Sequence, residues 1–127
     1  MLKLVKLHEG RAFTVCALKR TGDEESFVLA YLKQIMNTEK PHWKTLVRRI
    51  RNLAEKGPMK YNPEKSRSLQ GTDLFELKEQ PTRILWFYDR TCRGRIVMTH
   101  GFQKRQDKTP PEEIERALQL QAEYYSR

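Results

Sequence analysis

The fold of this chain is decided between Leu69 and Ala117, where strand-like segments precede a helix. The stretch contains, in order, Leu74-Phe75-Glu76-Leu77-Lys78, Arg83-Ile84-Leu85-Trp86-Phe87-Tyr88, Gly94-Arg95-Ile96-Val97-Met98, His100-Gly101-Phe102-Gln103-Lys104-Arg105 and Lys108-Thr109-Pro110-Pro111-Glu112-Glu113-Ile114. Apolar residues form the body of each strand, and basic residues stand at the strand starts and ends. A sheet of this kind can be buried on one side and can present cations on the other, which suits a polyanion such as an RNA backbone.

The composition indicates one small basic domain. The chain has 127 residues, of which 25 are Lys or Arg and 16 are Asp or Glu, and its net charge is +9. This length accommodates a single hydrophobic core, so we expect one domain over residues 1–127 with its core at 10–120. The excess of cations favours polyanionic partners through counterion release. Residues 110–127 carry 2 basic and 4 acidic groups, so we expect this segment to lie apart from the polyanion-facing surface.

The cysteines and the N-terminus indicate where the protein works. Cys16 and Cys92 have no CxxC spacing and no histidine at ligand spacing, which predicts reduced thiols. Lys3 and Lys6 interrupt the N-terminal leucines, so the sequence predicts neither a signal peptide nor a transmembrane helix. We therefore expect a soluble, cytoplasmic protein with no membrane partner. The sequence shows no glycine-rich phosphate loop, Ser-His-Asp order or metal-binding cluster, and it predicts no cofactor and no metal.

The N-terminal half predicts one strand and two helices. Arg11–Arg20 has the composition of a strand and ends at a Thr-Gly-Asp turn. Ser26 or Asp23 can cap a first helix, whose apolar stripe runs from Phe27 to Met36. A second helix begins near Pro41 and ends at Gly57-Pro58.

The C-terminal half predicts three strands and a closing helix. The strands are expected at Asp73–Glu79, Arg83–Asp89 and Arg95–Gln103, and the middle one lacks alternation, which is typical of a strand covered on both faces. Thr109-Pro110-Pro111-Glu112 predicts a capping box at the start of the last helix. The apolar stripe of that helix is expected at Ile114, Ala117, Leu118 and Tyr125. The fold class is therefore α+β, with two N-terminal helices packed on a small, mostly antiparallel sheet and an additional C-terminal helix.

The order and spacing of these motifs resemble the RelE/ParE superfamily of bacterial type II toxins, and especially its phage-derived, HigB-like branch. The resemblance covers about residues 10–120 and is sharpest between Leu69 and Ala117. It implies a RelE-like fold and a toxin that cleaves mRNA without a metal, usually on the ribosome. It also implies a cognate antitoxin, commonly a helix-turn-helix protein. Because this fold hosts several activities, the resemblance indicates the family more strongly than the reaction.

The resemblance also assigns roles to individual basic residues. Arg83, at the start of its strand, corresponds to the family's phosphate-facing arginine. Lys104 and Arg105 correspond to the basic cluster at the end of the last strand. Lys65 and Arg67 precede the second predicted strand, Asp73–Glu79, where RelE proteins place basic catalytic residues.

The chemistry of RNA cleavage gives each candidate a functional and a structural interpretation. Arginine suits stabilisation of the phosphorane because its planar fork pairs with two phosphate oxygens. Arg83 could instead form an ion pair with Glu76 or Asp89. His100 titrates near neutral pH and could transfer protons. Alternation, however, places it on the expected buried face with Met98 and Phe102, which favours a packed structural role.

The second helix supplies further basic candidates. Arg48 and Arg49, together with Arg51, are expected on a solvated helix face, and they could alternatively contact ribosomal RNA at the rim of a complex.

These observations leave three functions open. The first is a ribosome-dependent mRNA endonuclease, with Arg83, Lys104 and His100 as catalytic candidates and Lys65, Arg67, Arg105, Arg48 and Arg49 as RNA-binding candidates. The second is a ParE-like protein that inhibits DNA gyrase by protein contact. The third is a phage-derived binding protein without catalysis. Expected partners are mRNA, the ribosome and an antitoxin with an acidic segment.

Overall fold

The elements observed in the structure follow the predicted order, with two additional strands. The computed structural model describes residues 1–38, 40–58, 66–69, 71–104 and 108–127, and at residues 66 and 67 it describes the backbone only. The elements are β1 Leu2–Glu9, β2 Thr14–Arg20, α1 Phe27–Thr38, α2 Lys40–Lys56, β3 Ser66–Ser68, β4 Phe75–Glu79, β5 Thr82–Tyr88, β6 Arg95–Gln103 and α3 Pro111–Tyr125.

The strands of the described residues form one mixed sheet in the order β1-β2-β6-β5-β4-β3. Four of the neighbouring pairs are antiparallel, but β2 and β6 at the centre are parallel. The expectation of a mostly antiparallel sheet is therefore only partly right. Parallel neighbours need a long connection between them, and here the two helices α1 and α2 lie within that connection.

The predicted first strand is corrected at its start. Strand β2 begins at Thr14 rather than Arg11, and β1 precedes it as an antiparallel partner at the edge of the sheet. We did not predict β1 because its polar and apolar residues do not alternate regularly. Lys6 pairs with Cys16 and His8 with Val15, so the register shifts between them, and such a bulge breaks the two-residue period.

Helices cover both faces of the sheet, so the architecture has three layers. Residues of α1 and α2 pack with Val15, Ile84, Trp86, Ile96 and Met98 in one core. Residues of α3 pack with Leu18, Leu85, Phe87, Val97 and Phe102 in the other. The C-terminal helix therefore lies on the sheet face opposite the helical pair. As expected, strand β5 is covered on both sides, with Ile84, Leu85, Trp86 and Phe87 all fully buried.

The signals that begin and end the first two helices are confirmed. The hydroxyl oxygen of Ser26 accepts a hydrogen bond from the backbone N–H of Leu29 at 3.1 Å, as a helix N-cap does. At the end of α2, Gly57 has φ +77° and its N–H donates to the carbonyl of Leu53 at 3.0 Å. This left-handed conformation favours glycine, so the helix ends there.

The last helix begins where expected, but its cap and its buried stripe differ from the prediction. Pro110 is the N-cap residue, and no side chain caps the helix. The buried positions are Ala117, Leu120, Gln121 and Tyr124, whereas Leu118 is 37% exposed. Ala117 is buried as predicted, and Ile114 and Tyr125 pack against the same core, so of the predicted stripe only Leu118 is misplaced.

Cys16 and Cys92 are free thiols, as predicted. Among the described residues, no helix is long and apolar enough to span a membrane.

Candidate functional site

A charged cluster lies between the sheet and the beginning of α3. We define it as Glu76, Arg83, Lys104 and Thr109, and call it the Glu76 cluster. Oε1 of Glu76 lies 3.3 Å from Nε of Arg83 and 3.8 Å from Nζ of Lys104. The hydroxyl of Thr109 donates to Oε2 of the same carboxylate. The structure thus brings two of the predicted catalytic cations onto one carboxylate.

The register of the strands explains this convergence. Leu74, just before β4, and Leu85 and Phe87 of β5 belong to the α3-side core. Because strand side chains alternate between faces, Glu76 and Arg83 share that face. Arg83 pairs across the sheet with Phe102 of β6. Lys104 follows that strand, and its backbone N–H donates to the carbonyl of Pro81 at 2.7 Å.

Arg83 is fixed by several hydrogen bonds. Its NH1 donates to the carbonyl of Thr82 at 2.8 Å and its NH2 donates to Oε1 of Gln80 at 2.9 Å. Arg83 is 2% exposed, Lys104 4% and Glu76 0%. Of the two structural partners that the sequence offered for Arg83, Glu76 is observed. Asp89 pairs instead with Arg95, at 3.2 Å.

Burial strengthens the electrostatic interactions of this cluster. Charges away from water interact through a lower effective dielectric, so the carboxylate and its cations hold each other firmly in place. The cluster reaches solvent through neighbouring polar side chains. Gln80, the partner of Arg83, is exposed. Such a cluster is rigid, and both terminal nitrogens of Arg83 already donate to acceptors within the protein.

His100 lies on the α3 face, and one part of its predicted placement is wrong. His100 and Phe102 share this face, with ring centroids 5.6 Å apart, but Met98 belongs to the opposite core. The register between β5 and β6 shifts by one residue, so Thr99 and His100 together lie opposite Leu85. This bulge breaks the alternation on which the prediction depended.

Both ring nitrogens of His100 have partners. Nε2 lies 2.9 Å from Oε1 of Glu113, and Nδ1 lies 3.1 Å from Oγ1 of Thr99. An ionised carboxylate only accepts, so Nε2–H donates to Glu113. The hydroxyl of Thr99 donates to the carbonyl of Leu85 at 3.2 Å, and its oxygen lies beside Nδ1. Burial lowers the pKa of His100 below its ordinary value, although the hydrogen bond to Glu113 opposes this shift. The imidazole is therefore packed, and burial favours its neutral form.

Thr109 was missed as a member of the site. The sequence predicted its hydroxyl as a helix cap, whereas the structure directs it to Glu76. Pro110 occupies the N-cap position, which places Thr109 one residue too early to reach the first helical N–H groups. The second proline of Pro110-Pro111 was the signal for this shift, because Pro111 takes the first helical position and Pro110 the cap.

The remaining predicted RNA-binding residues do not all lie together. Lys65 and Arg105 fall outside the described residues. The backbone of Arg67 lies in β3, directly opposite Glu76. Arg48 is exposed on α2. Arg49 is not on a solvated face as expected, because it bonds to the carbonyl of Lys78 and lies 3.4 Å from Glu79.

In the part of the chain that the structure describes, no group of three His, Cys, Asp or Glu side chains is placed to hold a metal ion. The site residues that the structure brings together are cations, one carboxylate and a hydroxyl. These groups can bind and orient an anion.

Fold and site together define a small, basic α+β domain whose last helix covers a buried charged cluster. The chain belongs to the family described as Phage derived protein Gp49-like (DUF891), whose model matches residues 24–122. This family is part of the RelE/ParE-like toxin superfamily and is associated with toxins of toxin–antitoxin systems. No curated protein matches the chain.

Proposed function

We propose that this chain is the toxin of a type II toxin–antitoxin system and that it cleaves mRNA bound to the ribosome without a metal. In this proposal it belongs to the HigB-like branch of its superfamily and works in the cytoplasm beside a helix-turn-helix antitoxin. The observation that carries the proposal is the convergence of Arg83 and Lys104 on Glu76 at the beginning of α3. The net charge of +9 supports an RNA substrate.

In this mechanism the Glu76 cluster stabilises the charge that develops on the phosphate. The ribose 2′-OH gives up its proton and attacks the adjacent phosphorus, and a pentavalent phosphorane forms. The bond to the 5′ oxygen then breaks as that oxygen takes up a proton from solvent, which leaves a 2′,3′-cyclic phosphate. Arg83 can give the equatorial oxygens of the phosphorane a bidentate partner, and Lys104 adds a point charge. Preorganised cations of this kind are commonly the largest contribution to catalysis. Glu76 positions both cations before the RNA arrives.

His100 is the candidate for proton transfer. Because Nε2 carries the hydrogen that is bonded to Glu113, the ring can accept the proton of the 2′-OH there only after that hydrogen has passed to Glu113. Its Nε2 points to Glu113, whose side chain is 27% exposed, and that contact provides a route toward solvent. Catalysis through this ring requires the hydrogen bond between His100 and Glu113 to break, so that the RNA takes the place of the Glu113 carboxylate.

The burial of the same residues favours a second candidate function. Arg83 and Lys104 are almost fully enclosed, and Glu76 neutralises charge there in the absence of a substrate. If the role of this cluster is structural, the toxin acts by protein contact instead, as a ParE-like inhibitor of DNA gyrase does. Non-catalytic binding to a partner would need the same fold and no nuclease chemistry.

The deciding experiment is induced expression in a bacterial host, followed by primer extension on a reporter mRNA. The test variant is Lys104→Met, which removes the charge and keeps most of the apolar stem. Arg83→Ala is less suitable because it strands the buried carboxylate of Glu76. Lys33→Met is the matched control, since the same replacement removes the charge of a lysine on α1 and its ion pair with Glu25, and α1 covers the other face of the sheet.

The nuclease proposal expects growth arrest and new mRNA 5′ ends within codons for the wild type and for Lys33→Met. It expects intact mRNA for Lys104→Met when that variant remains folded by thermal unfolding. If the wild type arrests growth, leaves mRNA intact and causes double-strand DNA breaks, the nuclease proposal is refuted and the gyrase-inhibitor function is supported. An absence of arrest, mRNA cleavage and DNA damage would leave the non-catalytic binding protein.

A further inference from the structure

A second charged surface lies at the other end of the sheet. It consists of Arg90 and Arg93 in the β5–β6 turn and of Tyr124, Tyr125 and Arg127 at the end of α3; we call it the arginine–tyrosine surface. Arg83 and Asp89 stand six positions apart along β5, so at about 3.3 Å per residue this surface is ~20 Å from the Glu76 cluster. A cleft of about 230 Å³ runs through it, lined by Thr91, Tyr124, Tyr125 and Arg127.

Two of these arginines are stacked on tyrosine rings. The guanidinium carbon of Arg90 lies 4.2 Å from the ring centre of Tyr125, and that of Arg127 lies 4.1 Å from the ring centre of Tyr124. Stacking uses the flat face of the guanidinium and leaves its N–H groups, which lie in the plane, directed outward. The arginine side chains are thus ordered in advance, which lowers the entropy lost when they bind a phosphate.

Tyr125 is itself held in place by the turn that it contacts. Its hydroxyl oxygen accepts from the backbone N–H of Arg90 at 3.0 Å, and its O–H donates to the carbonyl of Tyr88 at 3.4 Å. The turn and the helix end therefore form one rigid unit.

The nearby acidic groups are already engaged. Oδ2 of Asp89 accepts from the hydroxyl of Tyr124 and lies 3.2 Å from NH1 of Arg95. Oδ1 of Asp89 accepts from the N–H and the hydroxyl of Thr91 at 2.8 and 2.7 Å. Glu123 pairs with Arg20 at 2.8 Å.

The arginines themselves remain available to an anion. Arg90, Arg93 and Arg127 are exposed, and among the described residues none of the three has a carboxylate within ion-pair distance. Their charge therefore faces solvent.

We propose that the arginine–tyrosine surface is a second RNA-binding site, which holds the phosphodiester backbone of a single strand whose scissile bond lies at the Glu76 cluster. This inference rests on the proposed function for its choice of RNA. Outward guanidinium edges bind phosphates, and the outer faces of the exposed arginines stack on unpaired bases. The surface increases affinity for long RNA and contributes nothing to an RNA too short to span both sites.

The test measures binding by fluorescence anisotropy with a labelled 2′-O-methyl RNA of about 15 nucleotides, which lacks the attacking hydroxyl. The test variant is Arg90→Gln/Arg93→Gln/Arg127→Gln. The control variant is Lys3→Gln/Lys40→Gln/Lys56→Gln, which removes the same charge from exposed lysines scattered over β1 and α2. All six positions are at the surface, and thermal unfolding checks that both variants are folded.

The test variant is expected to bind the RNA ~10- to 100-fold more weakly at low salt. The slope of its log affinity against log salt concentration should be shallower by about 2, because each of the three lost phosphate contacts contributes about 0.7 to that slope. The control should lose no more than about threefold. Equal losses in the two variants would overturn the proposal, because net charge alone would then account for the effect. The proposal would also be overturned if the test variant lost as much affinity for an RNA of about three nucleotides as for the RNA of about 15 nucleotides.

A further variant separates the planar fork from the charge. Arg90→Lys/Arg93→Lys/Arg127→Lys keeps every charge and removes the stacking fork, and it should lose at least about threefold in affinity. Unchanged affinity would overturn the stacked-arginine account of the site.

Failure of this inference is distinguishable from failure of the proposed nuclease. Binding to the uncleavable RNA that depends on the three arginines would establish the surface even if primer extension found intact mRNA. If the test variant cleaves mRNA specifically and binds the RNA as tightly as its control, the proposed nuclease is supported and the second RNA-binding site is refuted.

Discussion

The replacement Glu76→Gln tests the central electrostatic claim about the fold. The change keeps the shape of the side chain and removes the negative charge that faces Arg83 at 3.3 Å and Lys104 at 3.8 Å. All three side chains are almost fully buried. Breaking a buried ion pair by removing one partner costs about 3–5 kcal/mol, because the other charge stays buried without compensation.

The amide oxygen introduced by this replacement still accepts one hydrogen bond, so we expect a loss near the lower end, about 3 kcal/mol. A domain of this kind has a free energy of unfolding of about 5–15 kcal/mol, so the variant remains folded but is clearly weakened. Urea unfolding followed by tryptophan fluorescence measures the loss, since Trp86 is fully buried and stacks on Phe75 at 4.5 Å.

Glu79→Gln is the matched control for this measurement. Glu79 stands on the same strand and lies 3.4 Å from Arg49, but its side chain is 23% exposed. A pair that keeps contact with water contributes about 1 kcal/mol or less. The additional change Lys104→Met in the Glu76→Gln background should recover part of the loss, with a coupling of about 0.5–3 kcal/mol. A loss below about 1 kcal/mol for Glu76→Gln, equal to that of Glu79→Gln, would refute the reasoning.

Three other contacts lead to measurable expectations. Because burial lowers the pKa of His100, the unfolded chain binds a proton that the folded chain does not. The free energy of unfolding should therefore fall as the pH drops below about 6.5, by at most about 1.4 kcal/mol per pH unit. This part of the fall should be absent in His100→Gln when urea unfolding is repeated across pH. Tyr124→Phe removes the hydroxyl that donates to buried Asp89 and should cost about 1.5–3 kcal/mol in the same assay, whereas no change would show that the carboxylate is satisfied without it. A Cβ at Gly101 would lie 2.3 Å from the ring of Tyr31, so Gly101→Ala should lower the free energy of unfolding by about 1–3 kcal/mol, and an equally stable variant would show that the ring moves freely aside.

The sequence predicted the parts of this fold that depend on neighbouring residues. Ser26 caps α1, Gly57 ends α2 and Pro111 begins α3, because caps and stops act within one turn of helix. The five-residue apolar run Ile84–Tyr88 was enough to predict an interior strand, since only a strand covered on both faces lacks alternation. The basic residues at the strand ends likewise indicated where the charged site lies.

The membership of the site could be predicted only in part. Arg83 and Lys104 were chosen from their positions at strand ends, and the structure brings them together. The partner of Arg83 was uncertain because the sequence offered both Glu76 and Asp89, and no partner was predicted for Lys104. The choice between these carboxylates depends on strand pairing, which joins residues far apart in the chain.

Only the tertiary structure decided three features. The parallel pairing of β2 and β6 depends on the path of α1 and α2, the bulge at Thr99 and His100 depends on the register with Leu85, and the hydroxyl of Thr109 goes to a carboxylate 33 residues away. Each is set by a contact between distant residues, so local propensity and periodicity carry no information about it. The sequence by itself determined the elements, the charge and the residue types of the site, whereas the packing of the sheet determined which of those residues meet.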